Sequence, residues 1–184
     1  MVEKLTEEYN VAVEWRPYYL RPDTPPEGVE LPIYLRTRHA NASERLRQMA
    51  RAYGMEMVEL HRILNTRRAH EATEYAREHG QGEAFHRAVF RKIYGEGQDI
   101  SRWEVLRAAA KEVGLNADAL QSSVESGKYT PSVEAQIAEA HALGITGVPT
   151  TIFDGRYAIV GAQPYGVFQQ VMARLMAEAG DDVR

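Results

Sequence analysis

The sequence predicts an α/β protein carrying a large helical insertion. Two observations predict it. Strand-like alternation occurs near the two ends of the chain, at Val11–Arg16 and at Thr150–Val160, and the stretch between them, from about residue 42 to 143, is almost wholly helical in its apolar period. With 184 residues the chain is long enough for one domain with an insertion.

The elements follow in order. Met1 to Tyr9 reads as helix, with Val2, Leu5 and Tyr9 on one face. Val11, Val13 and Trp15 then alternate with Ala12, Glu14 and Arg16, as in a strand limited by Pro17. Leu20 to Pro32 holds Pro22, Pro25, Pro26, Gly28 and Pro32 and reads as loop. Leu46, Met49, Ala50 and Tyr53 share a helix face that stops at Gly54. Asn65 is placed to cap a helix bearing Ala69, Ala72, Thr73 and Ala76, with Gly80 beyond it. Phe85, Val89 and Ile93 mark the next helix.

Ser101 and Glu104 form the pattern of a capping box ahead of Val105, Leu106, Ala109 and Val113, with Gly114 as the stop. Asn116 opens a short helix through Leu120 and Val124. Thr130-Pro131 starts another that ends at Gly144. Asp154-Gly155 between two apolar runs is a hairpin signal, giving strands Thr150–Phe153 and Arg156–Val160. Gln163-Pro164 leads into a last helix striped by Tyr165, Phe168, Val171, Met172, Leu175 and Ala179, before an Asp181–Arg184 tail expected to fray.

Composition narrows the function classes. Net charge is −4 and the pI about 5.9, so no basic field points to nucleic acid. No apolar run is long enough for a membrane span. Met1 is followed by an acidic, amphipathic start with no secretory pattern, so a cytoplasmic protein is expected. The sequence contains no cysteine, which excludes disulfides, thiolate metal sites and a cysteine nucleophile within it. The six histidines fall in no zinc-binding spacing, so neither a metal nor a cofactor is expected.

The Val148-Pro149 step at the mouth of the hairpin is the candidate binding feature. A proline there starts or edges a strand, and spacing alone leaves its bond either trans or cis. Gln163 reads as a helix cap or as a donor to a ligand. Asn65 reads as a cap. Trp15 and Tyr18 read as core or as the lining of a groove. His70 and His86 read as solvated or packed.

Four stretches together resemble a known family. They are V-E-W-R-P-Y-Y-L-R-P at Val13–Pro22, N-T-R-R-A-H at Asn65–His70, G-I-T-G-V-P-T-T-I-F at Gly144–Phe153 and G-A-Q-P-Y at Gly161–Tyr165. The set resembles the DsbA family of the thioredoxin fold, in its branch of FrnE-like proteins and 2-hydroxychromene-2-carboxylate isomerases. The resemblance implies a thioredoxin-like core from residues 1–32 and 127–184, interrupted by a helical insertion over 33–126. It implies that Val148-Pro149 is a cis-proline loop, with Val148, Pro149 and Thr150 facing an extended protein or peptide thiol or disulfide substrate. Asn65 and Thr66 would approach the mouth of that site.

The family's chemistry is thiol–disulfide exchange by a C-x-x-C motif, or a serine variant of it, after the first strand. That strand and motif have no counterpart in the sequence. By this comparison roughly 25 residues are missing ahead of Met1, and the chain as it stands is expected to be inactive in disulfide exchange. The first strand would lie between Val11–Arg16 and Thr150–Phe153. Without it, either those two strands close together or a partner chain, as in a homodimer, fills the slot. Two further readings stay open: a non-catalytic peptide-binding module, and a glutathione-dependent isomerase relative. Against glutathione, the loop after the last strand reads Gly161-Ala162-Gln163 and lacks the serine and aspartate of the isomerase branch.

Overall fold

The computed structural model describes residues 2–52 and 54–181, with side chains given except at 35–42, 180 and 181. The expectations placed on Met1, Tyr53 and the tail beyond Asp181 lie outside the described residues. The chain forms two compact units, one from Met1–Leu20 with Ala138–Arg184 and one from Arg21–Ile137.

The first unit contains α1 (Val2–Glu8), the end of α7 (Thr130–Ala142), the strands β3 (Thr150–Phe153) and β4 (Tyr157–Val160), and α8 (Tyr165–Asp181). Asp154 and Gly155 have φ of 50° and 65°, the left-handed pair that a tight hairpin requires, and the Arg156 N–H closes the turn on the Phe153 carbonyl at 2.9 Å. Strand alternation then sorts the side chains. Thr151, Phe153, Tyr157 and Ile159 share one face, and Phe153 and Ile159 are buried against Leu5, Phe168 and Met172. Phe168 and Met172 come to the hairpin because they stand four residues apart on α8.

Ile152 and Val160 are on the opposite face, and Val160 is 66% exposed. The hydroxyl of Tyr165 donates to Glu8 at 2.7 Å, tying α8 to α1. Loss of solvation, followed by this bond, pushes the Tyr165 hydroxyl up to about 12.

Val11–Arg16 forms no strand. Alternation alone does not make a strand, which also needs a neighbouring backbone, and none pairs with it among the described residues; Val13 and Trp15 are both exposed. Val11 instead donates back to the Tyr9 carbonyl at 2.7 Å. The segment is held by side chains: Arg16 pairs with Glu139 at 3.2 Å, and Pro17 is buried.

The second unit is helical. It holds β1 (Val29–Glu30), α2 (Ile33–Ala52), β2 (Arg62–Ile63), α3 (Arg67–Glu78), α4 (Gly82–Phe90), α5 (Trp103–Glu112), α6 (Ala117–Glu125) and most of α7. Phe85, Leu106 and Leu120 are fully buried, and Ala72, Ala76, Ala109 and Ala110 let the helix axes approach closely around them. Asn116 caps α6, its side-chain oxygen accepting from the N–H groups of Asp118 and Ala119 at 3.0 Å each.

Four details differ from the sequence reading. Helix α2 begins at Ile33, earlier than its apolar period shows. The Pro-rich loop contains a two-residue ladder in which Val29 faces Ile63 and Glu30 faces Arg62. The capping box does not form: Asp99 accepts from both the N–H and the hydroxyl of Ser101, at 3.0 and 2.6 Å, and α5 starts two residues later. Helix α4 runs on into a wide π turn, Arg91–Gly95, in which Lys92 is buried and pairs with Glu112 at 2.6 Å.

Candidate substrate-binding loop

The candidate site is the stretch between the end of α7 and β3. Two backbone bonds end the helix: Gly144 donates to His141 at 2.9 Å and Ile145 to Ala140 at 3.0 Å. The chain then runs through Gly147 into Val148-Pro149, whose peptide bond is cis, as the resemblance implies. Three bonds brace this loop at alternate carbonyls. The Tyr18 hydroxyl donates to Ile145 at 3.2 Å, the Thr150 hydroxyl to Gly147 at 2.8 Å, and the Gly161 N–H to Pro149 at 2.8 Å.

The last of these bonds fixes the phase of the ladder. Thr150 and Val160 face each other, and their flanking residues 149 and 161 carry the bond, so Thr150–Val160 is a non-hydrogen-bonded pair. The N–H and C=O groups of Thr150 and Ile152 therefore point away from β4. Among the described residues no strand occupies that edge. Val148, at the head of the edge, is 51% exposed, and Pro149 is exposed beside it.

The structure brings Val148, Pro149 and Thr150 together and sets Gln163 in the same unit. The Gln163 side-chain N–H donates to the Val160 carbonyl at 3.0 Å, so it closes the loop after β4, while α8 starts at Tyr165. Asn65 is in the helical unit. Its oxygen accepts from the N–H of Arg67, the first residue of α3, at 3.0 Å, and its nitrogen donates to the Thr24 carbonyl at 2.7 Å; the cap position itself falls at Thr66, whose side chain makes no capping bond. Tyr18 is the loop contact that sequence reasoning missed. Its partner is 127 residues away in the chain, and an aromatic beside a proline gives no signal of that distance.

Chemically, the loop offers backbone donors and acceptors beside exposed apolar side chains. The sequence supplies no thiol. Among the described residues no cluster of His, Asp or Glu is arranged to hold a metal, and no helix is long and apolar enough to cross a membrane.

A family model, the DSBA-like thioredoxin domain, matches residues 1–173. The chain belongs to the DsbA-like thioredoxin domain family. A crystal structure of a probable DsbA oxidoreductase from Streptomyces coelicolor superposes on this family member with a TM-score of 0.80. Its identity is 26%, over 89% of this chain and 74% of that one. The structure of a 2-hydroxychromene-2-carboxylate isomerase shares the fold, with a TM-score of 0.78 and 22% identity over 98% of this chain and 89% of its own. In sequence, the chain is 28% identical to the uncharacterized protein YwbO of Bacillus subtilis (strain 168) over 169 residues, which is 89% of this chain and 82% of that protein. It is 36% identical to a 2-hydroxychromene-2-carboxylate isomerase of Sphingobium xenophagum over 83 residues, 45% of this chain and 43% of the isomerase. The DsbA-like fold, helix-rich α/β, is the one the four sequence stretches imply.

Proposed function

We propose that this chain carries the substrate-binding part of a DsbA-like thiol–disulfide oxidoreductase site. The substrate is an extended protein or peptide that lies along Val148, Pro149 and Thr150, in the cytoplasm. The observation that carries this reading is the Val148 side chain, 51% exposed at the mouth of β3, in a loop braced at the Ile145, Gly147 and Pro149 carbonyls. An extended chain pairs with the backbone of Val148, and the exposed Val148 side chain takes up a neighbouring residue of the peptide.

Exchange itself requires a thiolate to attack a disulfide sulfur and a second thiolate to leave. With no cysteine in the sequence, these residues bind and orient a substrate and do not carry its electrons. As it stands, the chain behaves as a peptide-binding module.

A glutathione-dependent isomerase relative is the second reading, favoured by the 36% identity to the Sphingobium enzyme over part of the chain. Gly161-Ala162-Gln163 weighs against it. That loop offers one polar side chain, whose amide already donates to Val160.

Amide NMR titration tests the proposal. A cysteine-containing extended peptide, with its thiol blocked, is expected to move the Val148 and Thr150 signals, while insulin reduction by the chain stays at background. Peptide that leaves those amides unmoved overturns the binding reading. Movement by glutathione in its place supports the isomerase relative. Turnover of insulin above background contradicts the non-exchanging role.

A further inference from the structure

The braces on the loop are unequal in what they fix. Thr150 and Gly161 hold the Gly147 and Pro149 carbonyls from within or beside the hairpin, across short stretches of chain. Upstream, the loop follows the end of α7 and is held by a side chain from a distant segment, Tyr18. Its hydroxyl reaches the Ile145 carbonyl, and its ring stands edge-on to His141, with ring centroids 5.6 Å apart and planes at 86°. The segment that carries Tyr18 is itself pinned nearby, since Arg16 pairs with Glu139 on the same helix end and Pro17 is buried. One aromatic side chain thus touches both the last turn of α7 and the loop after it at Ile145, three residues ahead of Val148.

We propose that Tyr18 is a positioning residue for peptide recognition at Val148-Pro149. This deepens the proposed function and rests on it. Tyr18 touches no substrate. It fixes where the loop leaves the helix, and so the direction in which Val148 presents its backbone to an incoming strand. A peptide gains full strand pairing only if that direction is set before it arrives; otherwise each binding event must first order the loop.

The test is Tyr18→Phe, which keeps the ring against His141 and removes only the hydroxyl. The matched control is Tyr129→Phe in the helical unit, which removes a hydroxyl bond to Glu78 of 2.6 Å. The blocked-thiol peptide is expected to bind Tyr18→Phe about 5-fold more weakly than wild type, the loss of one ordinary hydrogen bond. In the free protein, amide hydrogen exchange at Ile145, whose N–H bonds the Ala140 carbonyl, is expected to quicken. Tyr129→Phe leaves both readouts unchanged.

Equal peptide affinity in Tyr18→Phe and wild type overturns the inference. So does equal weakening by the two variants, which would mark a loss of general stability. If wild type binds no peptide, the proposed function fails by itself, and the positioning role is then decided on the free protein: unchanged loop exchange in Tyr18→Phe overturns it, and faster exchange confined to the loop supports it.

Discussion

Lys92 shows what a single charge costs inside a helical core. Its side chain is 5% exposed, and its ammonium finds Glu112 at 2.6 Å, while Arg91 joins the same carboxylate. The Lys92 bond holds the Glu112 carboxyl below its ordinary range. Glu112→Gln keeps the shape but leaves a buried cation facing a neutral amide, and is expected to cost about 1–3 kcal/mol in urea denaturation. Lys92→Met removes the charge and fills the same space, and is expected to cost less. The reverse order would mean that Lys92 is solvated in solution. At this scale the site residues were unevenly legible. Asn65 stands one residue ahead of the cap position, Thr66, and its side chain takes the first N–H of α3, that of Arg67. Val148-Pro149 announces itself as a strand mouth, but spacing carries no information on the isomer of the bond. Gln163 resembles a cap because a proline and a helix follow it, yet a long amide side chain reaches back to Val160 as easily as forward to a helix N–H.

At the level of elements, local chemistry was legible wherever one turn decides the outcome. The hairpin is such a case. Gly155 has φ of 65°, and a Cβ built there meets nothing within 4 Å, so a substitution meets conformational cost alone. Gly155→Ala is expected to lower stability by about 1 kcal/mol and Gly155→Asn by less, measured by chemical denaturation; an Ala variant as stable as wild type would mean that the turn is not left-handed in solution. Elements that depend on a distant neighbour were illegible. Val11–Arg16 has the alternation of a strand in its sequence, but among the described residues no backbone pairs with it. Val29–Glu30 pairs with Arg62–Ile63 because Gly28, at φ 74°, brings its Cα so near the Ile63 carbonyl that a Cβ would sit 2.6 Å from the oxygen. Ser101 and Glu104 had the spacing of a capping box, and a carboxylate two residues earlier, Asp99, took the serine first.

For the whole molecule, the two units differ in how the chain builds them. The helical unit is one continuous stretch, Arg21–Ile137, with its own core around Phe85, Leu106 and Leu120. A fragment of residues 21–137 is expected to stay helical by circular dichroism and to unfold cooperatively on heating; a featureless, gradual melt would show that its core is insufficient alone. The other unit is assembled from the two ends of the chain, since Leu5 on α1 packs with Phe153, Phe168 and Met172. Bringing such ends together across about a hundred flexible residues costs on the order of 4 kcal/mol of chain entropy. That cost falls once the intervening stretch has condensed. The connectivity therefore sets a timetable: the helical stretch orders early, and the unit that carries the Val148 loop is completed last. A slow step in refolding should then report on burial of Leu5, not on the helices.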